Sequence, residues 1–279
     1  MKIECVPNFS EGRDQSVIAA LVEAIQSVDT VRLLDTTSDP DHNRSVFTFI
    51  GPPGAVAEAA FRAVRTASER IDLTRHSGVH PRLGAADVVP FVPISGATLS
   101  DCAALAHQTG HRIWNELHIP VYFYEAAALR PECERLENVR KLLVPPDLGA
   151  TPHPTAGCVV IGARKFLVAW NINLDSTDLN AAKAIARAIR QASGGLPAVK
   201  AIGLPLVSRN QVQVSINLVD FEQTPLHAVF DAVAGLCAER GIHIVGSELI
   251  GMIPQAALDA SAGHDLYWEN LRPAMVLTA

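Results

Sequence analysis

Arg44-Ser-Val-Phe-Thr-Phe-Ile50 runs through Gly51 into Pro52-Pro53 and a long alanine-rich segment, and Gln211-Val-Gln-Val-Ser-Ile-Asn-Leu218 runs into Thr224-Pro225 and a second apolar-periodic segment. Alternation of polar and apolar side chains predicts a strand with one buried face. Proline is tolerated in the first turn of a helix, so both proline positions mark helix starts. The two passages are an internal echo. Working outward from the first gives strands over 2–8, 31–36, 45–50 and 88–94, with helices over 15–28 and 52–71; the earlier helix carries Val17, Ile18, Leu21, Val22, Ile25 and Val28 at helical spacing. Working outward from the second gives strands over 166–173, 199–203, 211–218 and 242–245, a helix over 177–192, and another from Thr224-Pro225.

The order in each half is strand, helix, strand, strand, helix, strand, the split βαβ arrangement of ferredoxin-like domains. A helix over 98–118, opened by the capping-box pattern Thr98-x-x-Asp101, and a strand over 119–124 extend the first half. The stretch 143–155 holds four prolines and fits a semi-rigid linker. The expected architecture is therefore α+β: two ferredoxin-like subdomains, 1–143 and 157–279, joined by a linker over 144–156, with a ligand crevice between them.

The chain has 279 residues, is 48% hydrophobic, and can bury a sizeable core. Its net charge of −6 and lack of any Lys/Arg block exclude the electrostatic footprint of a nucleic-acid binder. Glu4, Pro7 and Asn8 stand where a secretory signal needs an apolar run, and no membrane-length apolar stretch occurs, so no membrane partner and a cytoplasmic location are expected. The five cysteines are scattered without a Cys-x-x-Cys pair and are expected to be buried, reduced thiols. The oligomeric state is open, a homodimer included.

Residues 74–87 read Thr-Arg-His-Ser-Gly-Val-His-Pro-Arg-Leu-Gly-Ala-Ala-Asp, with His76, His80, Arg75 and Arg82 among turn-forming glycines and a proline. Histidine both takes and gives a proton near neutrality. Pro81 biases the preceding His80 towards extended backbone. The turn Asp35-Thr-Thr-Ser-Asp-Pro-Asp-His-Asn-Arg44 offers Asp35, Asp39, His42 and Arg44. Asn8-Phe-Ser-Glu-Gly12 lies between the first strand and first helix, where Ser10 could cap. Gly157-Cys-Val-Val-Ile-Gly-Ala-Arg-Lys-Phe166 reads as a hairpin with Gly162 and Ala163 near its tip, offering Arg164 and Lys165 to an anion. Each of these loops also has a plain reading as a solvated turn.

Sharper motifs fail. Gly157-x4-Gly162 begins like a phosphate-binding loop, but Ala163 stands where lysine is needed. His76 and His80 have zinc-pair spacing, but Gly78 and Pro81 argue against a helix, so no metal is expected. A nucleophile elbow and a dinucleotide fingerprint are both missing.

Glu4-Cys-Val-Pro-Asn-Phe-Ser-Glu-Gly12, Ser38-Asp-Pro-Asp-His-Asn-Arg-Ser-Val46, His76-Ser-Gly-Val-His-Pro-Arg-Leu-Gly-Ala85, Pro90-Phe-Val-Pro93, Gly162-Ala-Arg-Lys-Phe166 and Gly246-Ser-Glu-Leu-Ile-Gly251 together resemble the glutamate formimidoyltransferase family, which includes the N-terminal part of formimidoyltransferase-cyclodeaminases. The resemblance spans nearly the whole chain. It implies transfer of a formimino group from N-formimino-L-glutamate to N5 of tetrahydrofolate, which serves as co-substrate, as in histidine degradation. It also implies paired ferredoxin-like subdomains, His80 as the catalytic histidine, and 157–166 as the folate-binding segment. No cyclodeaminase segment follows Ala279, so onward conversion of the product is expected to need a separate protein. One imidazole can act as base and then acid in this reaction, and arginines suit the substrates' carboxylates. Arg82, Arg44 and Arg164 are the candidates, with Lys165 as a point charge. Asp39 or Asp35 would orient an imidazole or hold the formimino nitrogen. Asn8, Gly157, Gly162, Ala163 and Phe166 complete the expected substrate-binding set. Three other readings stay open: formyl transfer to tetrahydrofolate, a non-catalytic folate-binding module, and a metal-dependent amidohydrolase using His76, His80 and the carboxylates of 35–41.

Overall fold

Ser45, Phe47 and Phe49 alternate along one strand with Arg44, Val46, Thr48 and Ile50, and the first three are fully buried. That alternation sorts the faces of the sheet to which the strand belongs. The computed structural model describes residues 1–40, 43–77, 82–141, 144–206 and 209–278. Two compact units divide the chain, Met1–Arg164 and Lys165–Ala279.

In the first unit the predicted strand 2–8 is two pieces, β1 (Lys2–Cys5) and β2 (Asn8–Phe9), broken at Pro7, which has no N–H to give a ladder. Then follow α1 (Gln15–Gln26), β3 (Arg32–Asp39), β4 (Arg44–Gly51), α2 (Pro53–Arg70), β5 (Ala86–Ser95), α3 (Leu99–Leu117), β6 (Val121–Glu125), the short α4 (Leu136–Val139) and β7 (Val159–Ala163). The strands form one seven-stranded sheet. β3 pairs with β4, and β1 and β2 both lie antiparallel between β4 and β5. β7 lies parallel between β5 and β6. Ile3, Cys5, Phe9, Phe47, Phe49, Phe91 and Ile161 join residues of α1, α2 and α3 in the main core. Phe9 meets Phe47 edge-on at 5.4 Å. A smaller cluster holds Val88, Tyr122, Tyr124 and Val160 against Cys133 and Val139.

Three expectations are corrected here. The segment 157–166 is not a hairpin: 159–163 form a buried parallel strand, so Gly162 and Ala163 sit inside the sheet. The stretch 144–156 is not a linker either, because Val121 donates to Leu148 O at 3.0 Å, Phe123 N donates to Asp147 at 2.8 Å, and Leu73 N donates to Thr155 O at 2.8 Å, all within the first unit. The boundary expected at 157 therefore falls between Arg164 and Lys165. Finally, Asp14 rather than Ser10 caps α1, accepting from Ser16 N at 2.8 Å. The capping box of Thr98 and Asp101 is present as read.

The second unit comprises β8 (Val168–Leu174), α5 (Leu179–Ile189), β9 (Val199–Leu206), β10 (Gln211–Leu218), α6 (Leu226–Ala238) and β11 (Ile244–Ile250). Its antiparallel sheet has the order β11-β8-β10-β9. Trp170, with no exposed surface, stacks at 6.2 Å on Phe230 of α6. Thr224 is not the cap of α6; its hydroxyl donates to Pro197 O at 2.7 Å and Pro225 takes the cap position. Short β12 (Ile253–Pro254) and β13 (Val276–Leu277) pair in parallel, with α7 (Gln255–Asp259) after the first of them. All five cysteines are free and buried. Among the described residues no helix is long and apolar enough to cross a membrane.

Candidate functional site

Described residues of three motif-carrying loops, around Gly12, around Asn43 and within 77–85, are tied together in the first unit. Asn43 takes a left-handed conformation, φ 50°, which asparagine tolerates better than most residues. Its side-chain oxygen accepts from Gly12 N at 2.9 Å, and its amide nitrogen donates to Ser77 O at 3.1 Å. One buried amide thus holds together the loop before α1, the β3–β4 turn and the histidine-containing segment. Gly12 is required at this crossing, since a Cβ there would lie 2.3 Å from Asp39 O. Ser10 donates from its hydroxyl to Gly84 O at 2.8 Å and from its backbone to Ala85 O at 2.8 Å. Gly84 and Gly157 bridge to one another, and a Cβ on Gly84 would fall 2.0 Å from Cys158 O.

Arginines gather here. Arg44 Nε donates to Asn8 Oδ1 at 2.9 Å, and its Nη2 donates to the same oxygen. Asn8 is oriented in turn by donating to Val6 O at 3.0 Å. Asp39 sits opposite Arg44 in the β3–β4 ladder. Arg13 Nε donates to Pro40 O at 2.7 Å. Arg82 Nη1 lies 3.1 Å from His76 Nε2. A guanidinium can only donate, so this ring nitrogen accepts and the His76 proton is on Nδ1, which is buried without a partner. At the centre is Asp87, 2% exposed, accepting from Leu83 N at 2.7 Å and from Arg140 Nη2 at 2.7 Å.

Burial pushes the Arg44 guanidinium down to about 10; Asp87 opposes this, while the charges of Arg140 and Arg82 add to it. Arg82 is lowered too, by burial first and by Arg13, again against Asp87. The cluster holds crowded positive charge, and a bound carboxylate would offset both the mutual repulsion and the cost of burial.

The structure thus brings together Asn8, Asp39, Arg44 and Arg82 of the expected set, and places Gly157 at the neighbouring glycine bridge. His80 and His42 lie outside the described residues. The rest of the expected folate segment is divided between the two units. Arg164 follows β7 and acts on Glu4 and Tyr124, whereas Lys165 pairs with Asp220 at 2.7 Å and Glu222 at 3.0 Å in the second unit, and Phe166 is 9% exposed there. Asn43, Asp87 and Arg140 escape a sequence reading. Asp87 and Arg140 are joined across 53 positions, beyond any local period, while Asn43 is visible only as one amide among several turn residues. Among the described residues no group of three or more His, Cys, Asp or Glu is placed to hold a metal ion.

The chain matches two successive family models: the N-terminal subdomain of the formiminotransferase domain over residues 2–164, and the formiminotransferase domain over residues 169–274. The junction between them coincides with the boundary between the compact units. A glutamate formimidoyltransferase of Streptococcus pyogenes serotype M1 is 46% identical, with 96% of this chain and 94% of that protein aligned. A glutamate formimidoyltransferase of Thermoplasma acidophilum is 42% identical over 92% of this chain and 89% of its own length. The formimidoyltransferase-cyclodeaminase of Mus musculus is 42% identical, the alignment covering 93% of this chain and 52% of the mouse protein. These matches, in the order and at the boundaries that the fold itself shows, establish that the chain belongs to the formiminotransferase family.

Proposed function

We propose that the protein is a glutamate formimidoyltransferase that moves the formimino group of N-formimino-L-glutamate to N5 of tetrahydrofolate, giving 5-formiminotetrahydrofolate and L-glutamate. The observation that carries this reading is the 46% identity to a protein of that name over 96% of the chain. The arginine cluster supports it. Both substrates carry carboxylates, and Arg44 and Arg82, with Arg140 behind Asp87, supply guanidiniums suited to such groups.

The N5 amine loses a proton as it adds to the formimino carbon, and the departing glutamate nitrogen gains one as the tetrahedral intermediate collapses. His80 is assigned both transfers, a role generally worth about 10²–10⁴-fold. Alignment of the two substrates supplies the larger share, up to roughly 7–11 kcal/mol of barrier. Asp39 is assigned to orienting the imidazole or the formimino nitrogen. The strand orders of both units support a pair of ferredoxin-like subdomains, and the role we assign is a cytoplasmic one in histidine degradation and one-carbon metabolism.

The deciding experiment incubates the purified protein and tetrahydrofolate with formiminoglutamate and, in parallel, with formylglutamate, measuring released glutamate. Faster release from the formimino donor is expected. Faster release from the formyl donor would replace the reading with formyl transfer, and release from neither would leave a folate-binding module.

A further inference from the structure

We propose that Glu4 is a ligand-binding residue whose carboxyl group receives the paired N–H donors of an amidine-type group on one of the two substrates. The inference rests on the formimino-transfer reading, which supplies two such groups: the 2-amino and ring N3–H of the pterin, and the formimino HN=CH–NH unit. A carboxylate matches two parallel N–H donors in the fork geometry that it also offers to guanidinium.

The placement follows from β1. Ile3 and Cys5 belong to the core under the helices, so Glu4 between them belongs to the opposite face of the sheet. Its ladder partners are Ile50 of β4 and Val92 of β5, neither of which has a polar side chain. Glu4 is nevertheless 1% exposed, and its Oε1 has no hydrogen-bond partner. A buried acceptor without a donor costs free energy and so calls for an explanation. The charged group that acts on Glu4 is Arg164 at the end of β7, and Arg164 also hydrogen-bonds the side chain of Tyr124 on β6. Gly162 contributes by lacking a side chain, since a Cβ there would lie 2.5 Å from Tyr124 Cδ1; the phenol ring can therefore lie across β7. A carboxyl, a guanidinium and a phenol are so assembled from three strands, about four residues along the sheet from Asn8, or roughly 13 Å at strand rise. Burial raises the Glu4 carboxyl to about 7, against the pull of Arg164, so it gains or loses its proton where an enzyme works.

Glu4→Gln keeps the volume and one acceptor but removes the charge. Tetrahydrofolate and formiminoglutamate are each titrated calorimetrically into both proteins at about pH 6 and about pH 8, either side of this ionisation. Affinity for one substrate should fall by about ten- to a hundredfold in the variant, the usual loss for a charge-assisted hydrogen-bonded pair, and the substrate affected identifies the source of the amidine-type group. Wild-type affinity for that substrate should rise with pH, and the variant should lose this dependence. Unchanged affinity for both substrates, or an equal loss for both with the pH dependence retained, overturns the assignment. If the variant does not fold, wild-type titrations in two buffers of different ionisation enthalpy replace it: protons should be released on binding near pH 6.5, and no release overturns the proposal. Failure of the formimino-transfer reading would appear separately, as no turnover by the wild-type enzyme.

Discussion

Arg140 Nη2 and Asp87 Oδ2 meet at 2.7 Å, joining the end of α4 to the start of strand β5 beside the other arginines, with the Asp87 side chain 3% exposed. Asp87 also accepts from Leu83 N, so it neutralises a guanidinium and fixes the chain just after the histidine segment.

Asp87→Ala should therefore destabilise the protein by about 3–5 kcal/mol, the usual consequence of leaving a buried charge without its partner. Urea unfolding monitored by circular dichroism gives the number. A loss below about 1 kcal/mol would mean that water replaces the carboxylate at little cost.

Asn43→Gly tests the junction of three loops. Glycine accepts the left-handed backbone but removes the bonds to Gly12 N and Ser77 O. Stability should drop by about 1–3 kcal/mol, and kcat should fall along with it because the segment that carries His80 loses its tether. Asn43→Asp, which keeps only the bond to Gly12 N, should fall between the two. Equal kcat in all three proteins would separate the junction from catalysis.

His80→Ala should lower kcat by about 10²–10⁴-fold with folate affinity little changed. Single-turnover kinetics and folate titration make the comparison. Retained turnover would move the proton transfers to another group, with His76 next to consider.

Glu4 gives a pH prediction for stability. Its folded-state ionisation is raised from an ordinary 4.5 to about 7, so between those values the folded chain holds a proton that the unfolded chain has released. The resulting stabilisation is fully present below about 4.5 and is lost as pH rises through about 7. Glu4→Gln removes this dependence and should be more stable than wild type at pH 8, by about 1–3 kcal/mol. Parallel melting curves across this range would refute the assignment of the proton to Glu4.

Two glycines should behave oppositely. A Cβ on Gly84 would meet Cys158 O at 2.0 Å, backbone against backbone, so Gly84→Ala should cost several kcal/mol or prevent folding. Gly235 is exposed within α6 and a Cβ there meets nothing within 4 Å. Gly235→Ala should stabilise the fold by about 0.5–1 kcal/mol. Thermal melts of the pair provide the check.

The elements legible in the sequence are those with an unbroken local period. β10 coincides with the predicted 211–218, because Val212, Val214, Ile216 and Leu218 alternate without interruption. α3 begins after Thr98 as its capping box requires. β7 is different. Its run of apolar residues with Gly162 inside is equally compatible with a hairpin, and nothing local announces parallel partners at Val88 and Val121, some 72 and 38 positions earlier than Val160 and Val159. The site divides in the same way. Arg44, Asn8 and Arg82 announce themselves by residue type within motif loops, while Asp87 and Arg140 acquire meaning only from long-range pairing. Glu4 did carry one local sign, a carboxylate flanked by Ile3 and Cys5 inside a strand.

The parallel insertion of β7 also sets an order of events during synthesis. β6 pairs with β7 and not with β5, so it has no neighbour in the sheet until residues 159–163 have left the ribosome. A fragment cut within the proline-rich stretch at 144–156 would expose two unsatisfied strand edges, a template for self-association. A recombinant version of the first unit should end no earlier than Arg164.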